Sequence, residues 1–69
     1  MNLQQYRLSL AWSAEELARR AGINAQTVRR IERGSPTFPH TASAIAAALS
    51  RGLGREIKVE DIEGLEIRD

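Results

Sequence analysis

The segment from Ser13 to Gly34, SAEELARRAGINAQTVRRIERG, constrains the fold more than any other part of the chain. Ser13 and Glu16 stand three residues apart just before the apolar Leu17, which is the spacing of a capping box at the start of a helix. Gly22 is placed to end that helix, because a residue without a Cβ adopts the left-handed conformation at low cost. The segment therefore predicts a helix that begins after Ser13 and ends at a glycine corner.

A second helix follows this corner after only a few residues. Asn24 can cap its start, Val28 and Ile31 recur at helical spacing to form a buried face, and Gly34 closes it. So short a corner makes the two helices cross rather than lie antiparallel. The second helix also carries a row of arginines, and a pair of helices of this kind can place its second helix in the major groove of DNA.

The segments on either side of this pair also predict helices. Leu3 to Ala11 has apolar residues on one side, and Trp12 is placed to staple against the next helix near Leu17. The two prolines within residues 35–39 favour a loop. From about His40, the sequence TASAIAAALS predicts a fourth helix.

Glycines divide the last third of the chain. Gly52 and Gly54 are expected to break the fourth helix, and a fifth helix of one or two turns is predicted from about Val59. The last residues, 65–68, alternate apolar and polar side chains, which suits either a short strand or a frayed end. The sequence thus predicts an all-α domain.

Composition excludes several classes of site. The chain has no cysteine and a single histidine, so a disulfide framework or a thiolate or histidine metal cluster cannot form, and no cofactor is expected. No nucleophile and base pair is recognisable, and we expect no enzyme. Nothing resembles a signal peptide or a membrane span, so a soluble cytoplasmic protein with no membrane contact is expected.

The net charge of +1 conceals two regions of opposite sign. Residues 1–55 contain eight arginines and three glutamates, a balance of +5, whereas residues 56–69 contain two cations and six acids, a balance of −4. Nine of the ten cations are arginine, whose flat guanidinium suits phosphate and guanine edges better than an ammonium does. The basic part predicts an anionic partner and the acidic part a different role.

These residues resemble the Cro/repressor-type helix-turn-helix domain, the Xre-like class of phage repressors and bacterial regulators. The likeness runs from about Leu3 to Ile62, and LARRAGINAQTVRRIERG is its most specific part. The resemblance implies a compact five-helix, lambda-repressor-like domain at residues 1–63, followed by a short acidic C-terminal tail at residues 64–69. Helices two and three would form the helix-turn-helix, with residues 24–33 as the recognition helix in the major groove of double-stranded DNA.

The resemblance also implies functional residues. The base-reading positions carried over from the family are Asn24, Ala25, Gln26, Arg29 and Arg30. Contacts with DNA phosphates are expected from Thr27, Arg33, Thr37, His40 and Thr41. Gln26 can bond adenine through two hydrogen bonds, and Arg29 or Arg30 can bond guanine in the same way. A structural ion pair is expected between Arg7 and Glu32.

Two departures from the family pattern bear on DNA contact and assembly. Many relatives carry glutamine at the first residue of helix two, where this chain has Ala14, so one phosphate or bridging contact is expected to be missing. Extra residues around 51–57 fall where the family commonly forms its dimer contact, which leaves the geometry of a dimer open.

The implied function is that of a sequence-specific transcriptional regulator that binds DNA as a homodimer. An alternative is a protein-interaction module, such as an antitoxin or antirepressor, with a partner bound at the acidic tail through Leu65 and Ile67. A second alternative is a non-specific architectural or RNA-binding protein. The tail itself suits a dimerisation strand, a protein contact or a solvated end, and Phe38 suits either a dimer contact or a cover over the core.

Overall fold

The computed structural model describes residues 1–68 as a bundle of four α-helices and one turn of 3-10 helix. The helices are α1 (Leu3–Ser9), α2 (Ala14–Ala21), α3 (Ala25–Glu32) and α4 (Pro39–Leu53), and the 3-10 turn is Val59–Asp61. The prediction of an all-helical domain is confirmed for this part of the chain. The last residue of the predicted acidic tail, Asp69, lies outside the described residues.

The count of five helices is not confirmed, because the element predicted as one or two turns of helix from about Val59 is a single 3-10 turn, Val59–Asp61. Ile57 and Ile62 are both buried and fix the two ends of this segment only five residues apart. Within it, the Lys58 amide donates to the Asp61 carboxylate, and Ile62 leaves in an extended conformation. The chain therefore completes a single turn before it returns to the core.

The core lies where α2 packs against both α3 and α4. Each of these helices contributes one or two of the largest fully buried side chains. They are Leu17 of α2, Val28 of α3, and Ile45 and Leu49 of α4. The alanines of α4 contribute close contact rather than bulk, since Ala42 and Ala48 are almost wholly buried. This packing sets the crossing of α2 and α3 and directs the opposite face of α3 to the surface.

Three helices begin with a side-chain cap. Asn2 and Gln5 form a complete capping box at α1, which was not predicted although the residues stand at the right spacing. Ser13 caps α2 through the Glu16 amide, as expected. The Glu16 carboxylate does not complete a box there, however, because it bonds Arg19 and Arg20 one turn later.

Three helices also end in the same way. A residue just past the last turn takes a left-handed conformation, and the amide of the residue that follows it donates to the carbonyl five residues earlier, which is the Schellman motif. Gly22 (φ 72°) and Gly34 (φ 101°) occupy the left-handed position after α2 and α3. At the end of α1 that position is taken by Ala11, at φ 58°.

Ala11 is therefore strained where the other two helices carry glycine. We expect Ala11→Gly to raise the free energy of unfolding by about 0.5–1 kcal/mol, because relief of the left-handed strain outweighs the added freedom of the unfolded chain. Gly22→Ala should lower it by about 1 kcal/mol, since no atom lies within 4 Å of the added Cβ and the cost is purely conformational. Urea unfolding followed by circular dichroism measures both. A stabilising Gly22→Ala or a destabilising Ala11→Gly would contradict this account.

Gly52 does not break α4, contrary to expectation. The helix continues through it to Leu53 and ends at Gly54, which is left-handed (φ 70°). The hydroxyl of Ser50 then accepts a hydrogen bond from the Ile57 amide at 2.8 Å. The extra residues between the fourth and fifth elements thus lengthen α4 and form a loop fastened to its last turn.

The C-terminal segment returns to two distant parts of the chain. Glu63 pairs with Asn2, and Ile67 pairs with Thr37, each as an isolated parallel bridge. Leu65 packs against the core between these bridges. Of the alternatives for the last residues, the described part fits a short extended segment docked on the domain rather than a frayed end.

Candidate nucleic-acid interface

The exposed face of α3 is polar and basic. Val28 and Ile31 point into the core, and the residues on the other side are exposed. They are Gln26, Arg29, Arg30 and, at the cap, Arg33. An α-helix with its side chains is about 10–12 Å across, which fits the width of the major groove.

Among the predicted base-reading residues, Gln26 and Arg30 are the two with exposed side chains that are unpartnered in the described part of the chain. They stand four residues apart and so lie one above the other on the helix surface. Within residues 1–68, neither side chain has a hydrogen-bond or ion-pair partner. The amide of Gln26 and the guanidinium of Arg30 therefore keep their donors for an external ligand.

Arg29 differs from its neighbour because it pairs with Glu15, in the first turn of α2. The pair is on the surface, with 45% of the Arg29 side chain and 63% of the Glu15 side chain exposed. The backbone amide of Glu15, together with the Arg29 guanidinium, lowers the pKa of the Glu15 carboxyl. Arg29 is thus exposed but already bound to a carboxylate of the same chain.

The other two predicted base-reading residues, Asn24 and Ala25, have fewer polar groups available to an external ligand. The side-chain oxygen of Asn24 caps α3 by accepting from the Gln26 amide at 2.7 Å, which leaves its NH₂ group. Ala25 is half-buried against the core and can contribute only a methyl group.

The predicted phosphate contacts differ in their availability. Arg33 is exposed and Thr27 is half-buried, so both can reach outward. His40 and Thr41 lie in the first turn of α4, before Ala42 begins the helical hydrogen bonding to Phe38. His40 is exposed, whereas only 8% of Thr41 is. Their amides are among the donors that a helix leaves free at its start.

Thr37 is not available in the way expected. Only 5% of it is exposed, its amide donates to the Glu66 carbonyl at 2.8 Å, and its carbonyl accepts from the Arg68 amide at 2.7 Å. The amide that was expected to meet phosphate is bonded to the C-terminal segment instead. Thr37 is therefore left out of the contacts proposed below.

The same bridge brings a further cation to this part of the surface. The Arg68 guanidinium lies over the Phe38 ring, 5.4 Å from its centroid, and the Phe38 ring stacks on His40 at 5.9 Å. Phe38 remains half exposed, so it does not cover the core. Sequence patterns gave no signal for this cluster, because Arg68 and Phe38 are thirty residues apart.

Beneath the exposed face, Arg7 and Glu32 join α1 to α3. Arg7 donates through Nε and Nη2 to the two carboxylate oxygens of Glu32, at 2.7 and 3.0 Å, and through Nη1 to the Trp12 carbonyl at 2.9 Å. Only 12% of each side chain is exposed. Hydrogen bonding to Glu32 raises the pKa of Arg7, which stays charged, and the pair fixes the C-terminal end of α3 to the bundle.

A family model described as helix-turn-helix matches residues 3–57, which is most of the chain. The chain belongs to the Cro/repressor-type helix-turn-helix family. Comparisons with curated proteins and with solved structures give no significant match. The family comprises DNA-binding domains of transcriptional regulators and is not typically enzymatic.

As a helix-turn-helix domain, the chain presents α2 and α3 as the two helices of the motif. The residue at the first position of α2, Ala14, is buried and belongs to the core, so it offers no polar group there. The family match ends at residue 57, and the docked C-terminal segment lies beyond it. None of the helices described has the length and apolar character needed to cross a membrane. Within residues 1–68, no three His, Cys, Asp or Glu side chains are grouped to hold a metal ion.

Proposed function

We propose that this helix-turn-helix domain is a sequence-specific regulator of transcription that reads double-stranded DNA with residues 24–33. The observation that carries the proposal is the pair Gln26 and Arg30, exposed one turn apart on α3 without partners among the described residues. Gln26 would bond adenine and Arg30 guanine, each through two hydrogen bonds in the major groove. Such a domain would act in the cytoplasm, on phage or bacterial operators.

Phosphate contacts would fix the register of α3 without reading sequence. Thr27 follows Gln26 on α3, Arg33 caps the end of that helix, and the free amides of His40 and Thr41 lie at the start of α4. We propose that these groups bind the DNA backbone on either side of the groove. We also propose that the protein binds as a homodimer on a two-fold operator, with half-sites about 34 Å apart.

Selection of bound sites from a random DNA pool tests this proposal directly. We expect a palindromic motif, and we expect Arg30→Ala to lower affinity for that motif about tenfold with loss of preference at one base pair of each half-site. Lys58→Ala, which removes the same charge from the segment beyond α4, is the matched control and should keep the preference. Mobility-shift titrations measure both variants.

Two outcomes would count against sequence-specific binding. If no motif emerges and every lost cation weakens all DNA equally, the non-specific alternative holds and the effect is one of counterion release alone. If no DNA binds, the domain is a protein-interaction module. That alternative is favoured by the exposure of Phe38 and Ile67 at the Thr37 bridge, 50% and 40% respectively. Leu65 does not support it, because it is half-buried against the core. Under this alternative, Ile67→Ser should abolish binding of the protein partner.

A further inference from the structure

The pairing of Glu15 with Arg29 sets one arginine of the exposed face apart from the others. Arg29 donates through Nη2 to the Glu15 carboxylate across the two helices of the motif. Arg30, the next residue, has no such partner within residues 1–68. A carboxylate offers the same kind of acceptor to a guanidinium as a phosphate or the edge of guanine does.

The pair is not needed to hold α2 and α3 together. Both side chains lie on the surface, and exposed ion pairs contribute little to stability. The two helices are already joined through the buried Leu17 and Val28 and through the corner at Gly22. This distinguishes it from the Arg7–Glu32 pair, which is nearly buried and links α1 to α3.

Arg29 stands where bound DNA would reach it. It lies three residues from Gln26 and next to Arg30, so all three side chains project from neighbouring positions of one helix. A duplex that meets Gln26 and Arg30 comes within reach of the Arg29 guanidinium. The Arg29 guanidinium can then bind either the Glu15 carboxylate or the DNA.

We propose that Glu15 limits the DNA affinity of this domain by competing with DNA for Arg29. This inference rests on the proposed function. In the free protein the carboxylate occupies the guanidinium, and DNA must displace it. Binding then leaves Glu15 unpaired beside the phosphates, where two negative charges repel. The carboxylate therefore weakens DNA binding in two ways. The Glu15–Arg29 pair must be broken, and the negative charge of Glu15 is then left unpaired near the phosphates.

A double-mutant cycle on DNA affinity separates this competition from a general effect of charge. The variants are Glu15→Gln, Arg29→Ala and the two combined, titrated on the selected operator by mobility shift. We expect Glu15→Gln to tighten binding about two- to fivefold more when Arg29 is present than in the Arg29→Ala background, which is the range of an exposed ion pair. Glu60→Gln, which removes an exposed acid from the 3-10 turn, is the matched control and should show no dependence on Arg29.

Other results would overturn the inference. An equal gain in both backgrounds would mean that Glu15 only adds negative charge. A loss of affinity in Glu15→Gln would mean that the carboxylate orients Arg29 for DNA rather than competes for it. Thermal unfolding of Glu15→Gln should stay close to that of the wild type, which excludes a folding defect. If the wild-type protein selects no DNA, the proposed function fails, and the inference fails with it.

Discussion

Replacing either Arg7 or Glu32 alone by alanine is expected to lower the free energy of unfolding by about 2–3 kcal/mol. Each change leaves a charged group without its partner at a site where only 12% of either side chain is exposed. Loss of Arg7 also removes the donor to the Trp12 carbonyl. For a domain of this size such a loss is a large fraction of the total stability.

Replacing both residues by apolar ones should cost less than either single change. In Arg7→Met with Glu32→Leu no charge remains unpaired, so the penalty of burying one disappears. Urea unfolding followed by circular dichroism compares the three variants with the wild type. Glu15→Ala, which breaks the exposed pair between α2 and α3, is the control and should move the midpoint little. A double variant that is less stable than either single variant would contradict this account of the ion pair.

Gly52→Ala is expected to destabilise the domain by about 2 kcal/mol, although alanine favours helix more than glycine does. A Cβ at this position would lie 2.5 and 2.8 Å from two carbons of the Trp12 ring and 3.1 Å from Leu10. The ring is half-buried and packed against the core, with the Arg20 guanidinium over it at 4.5 Å from its centroid, so a shift of the ring gives up these contacts. Overpacking of this kind typically costs 1–3 kcal/mol, roughly, and outweighs the gain in helix propensity.

The same substitution in a Trp12→Leu background tests the cause. With the large ring removed, Gly52→Ala should become neutral or stabilising by up to about 1 kcal/mol, since only helix propensity remains. Thermal unfolding of the four proteins of this cycle gives the coupling between the two positions. If Gly52→Ala stabilises the wild-type protein, the indole does not rest on α4 at this point.

The parts of the fold that were predicted correctly depend on local signals. The cap at Ser13, the left-handed Gly22 and the cap at Asn24 lie within twelve residues, and each acts on a neighbouring backbone group. The spacing of Val28 and Ile31 identifies the buried side of α3, and so its exposed side as well. Gln26 and Arg30 were therefore placed on the surface from sequence alone.

The features that sequence patterns do not reveal are contacts between distant residues. A glycine at position 52 predicts a helix break. In the structure Gly52 lies within α4, and the indole of Trp12, forty residues earlier in the chain, occupies the space where a Cβ would be. Thr37 lies in a loop that suits a phosphate contact, but the segment that bonds it comes thirty residues later. The partner of Arg29 is likewise on another helix. The periodicity of the sequence does not predict such pairings, because they depend on how the packed helices bring distant segments together.

The position of Trp12 has a practical consequence, because it is the only tryptophan of the chain. Its indole lies half-buried where the end of α1, the start of α2 and the last turn of α4 meet. Intrinsic fluorescence excited at the red edge of protein absorption therefore reports on the closure of this one junction. Ellipticity averages over all four helices, so the two signals together can tell whether α4 leaves the bundle before its neighbours unwind.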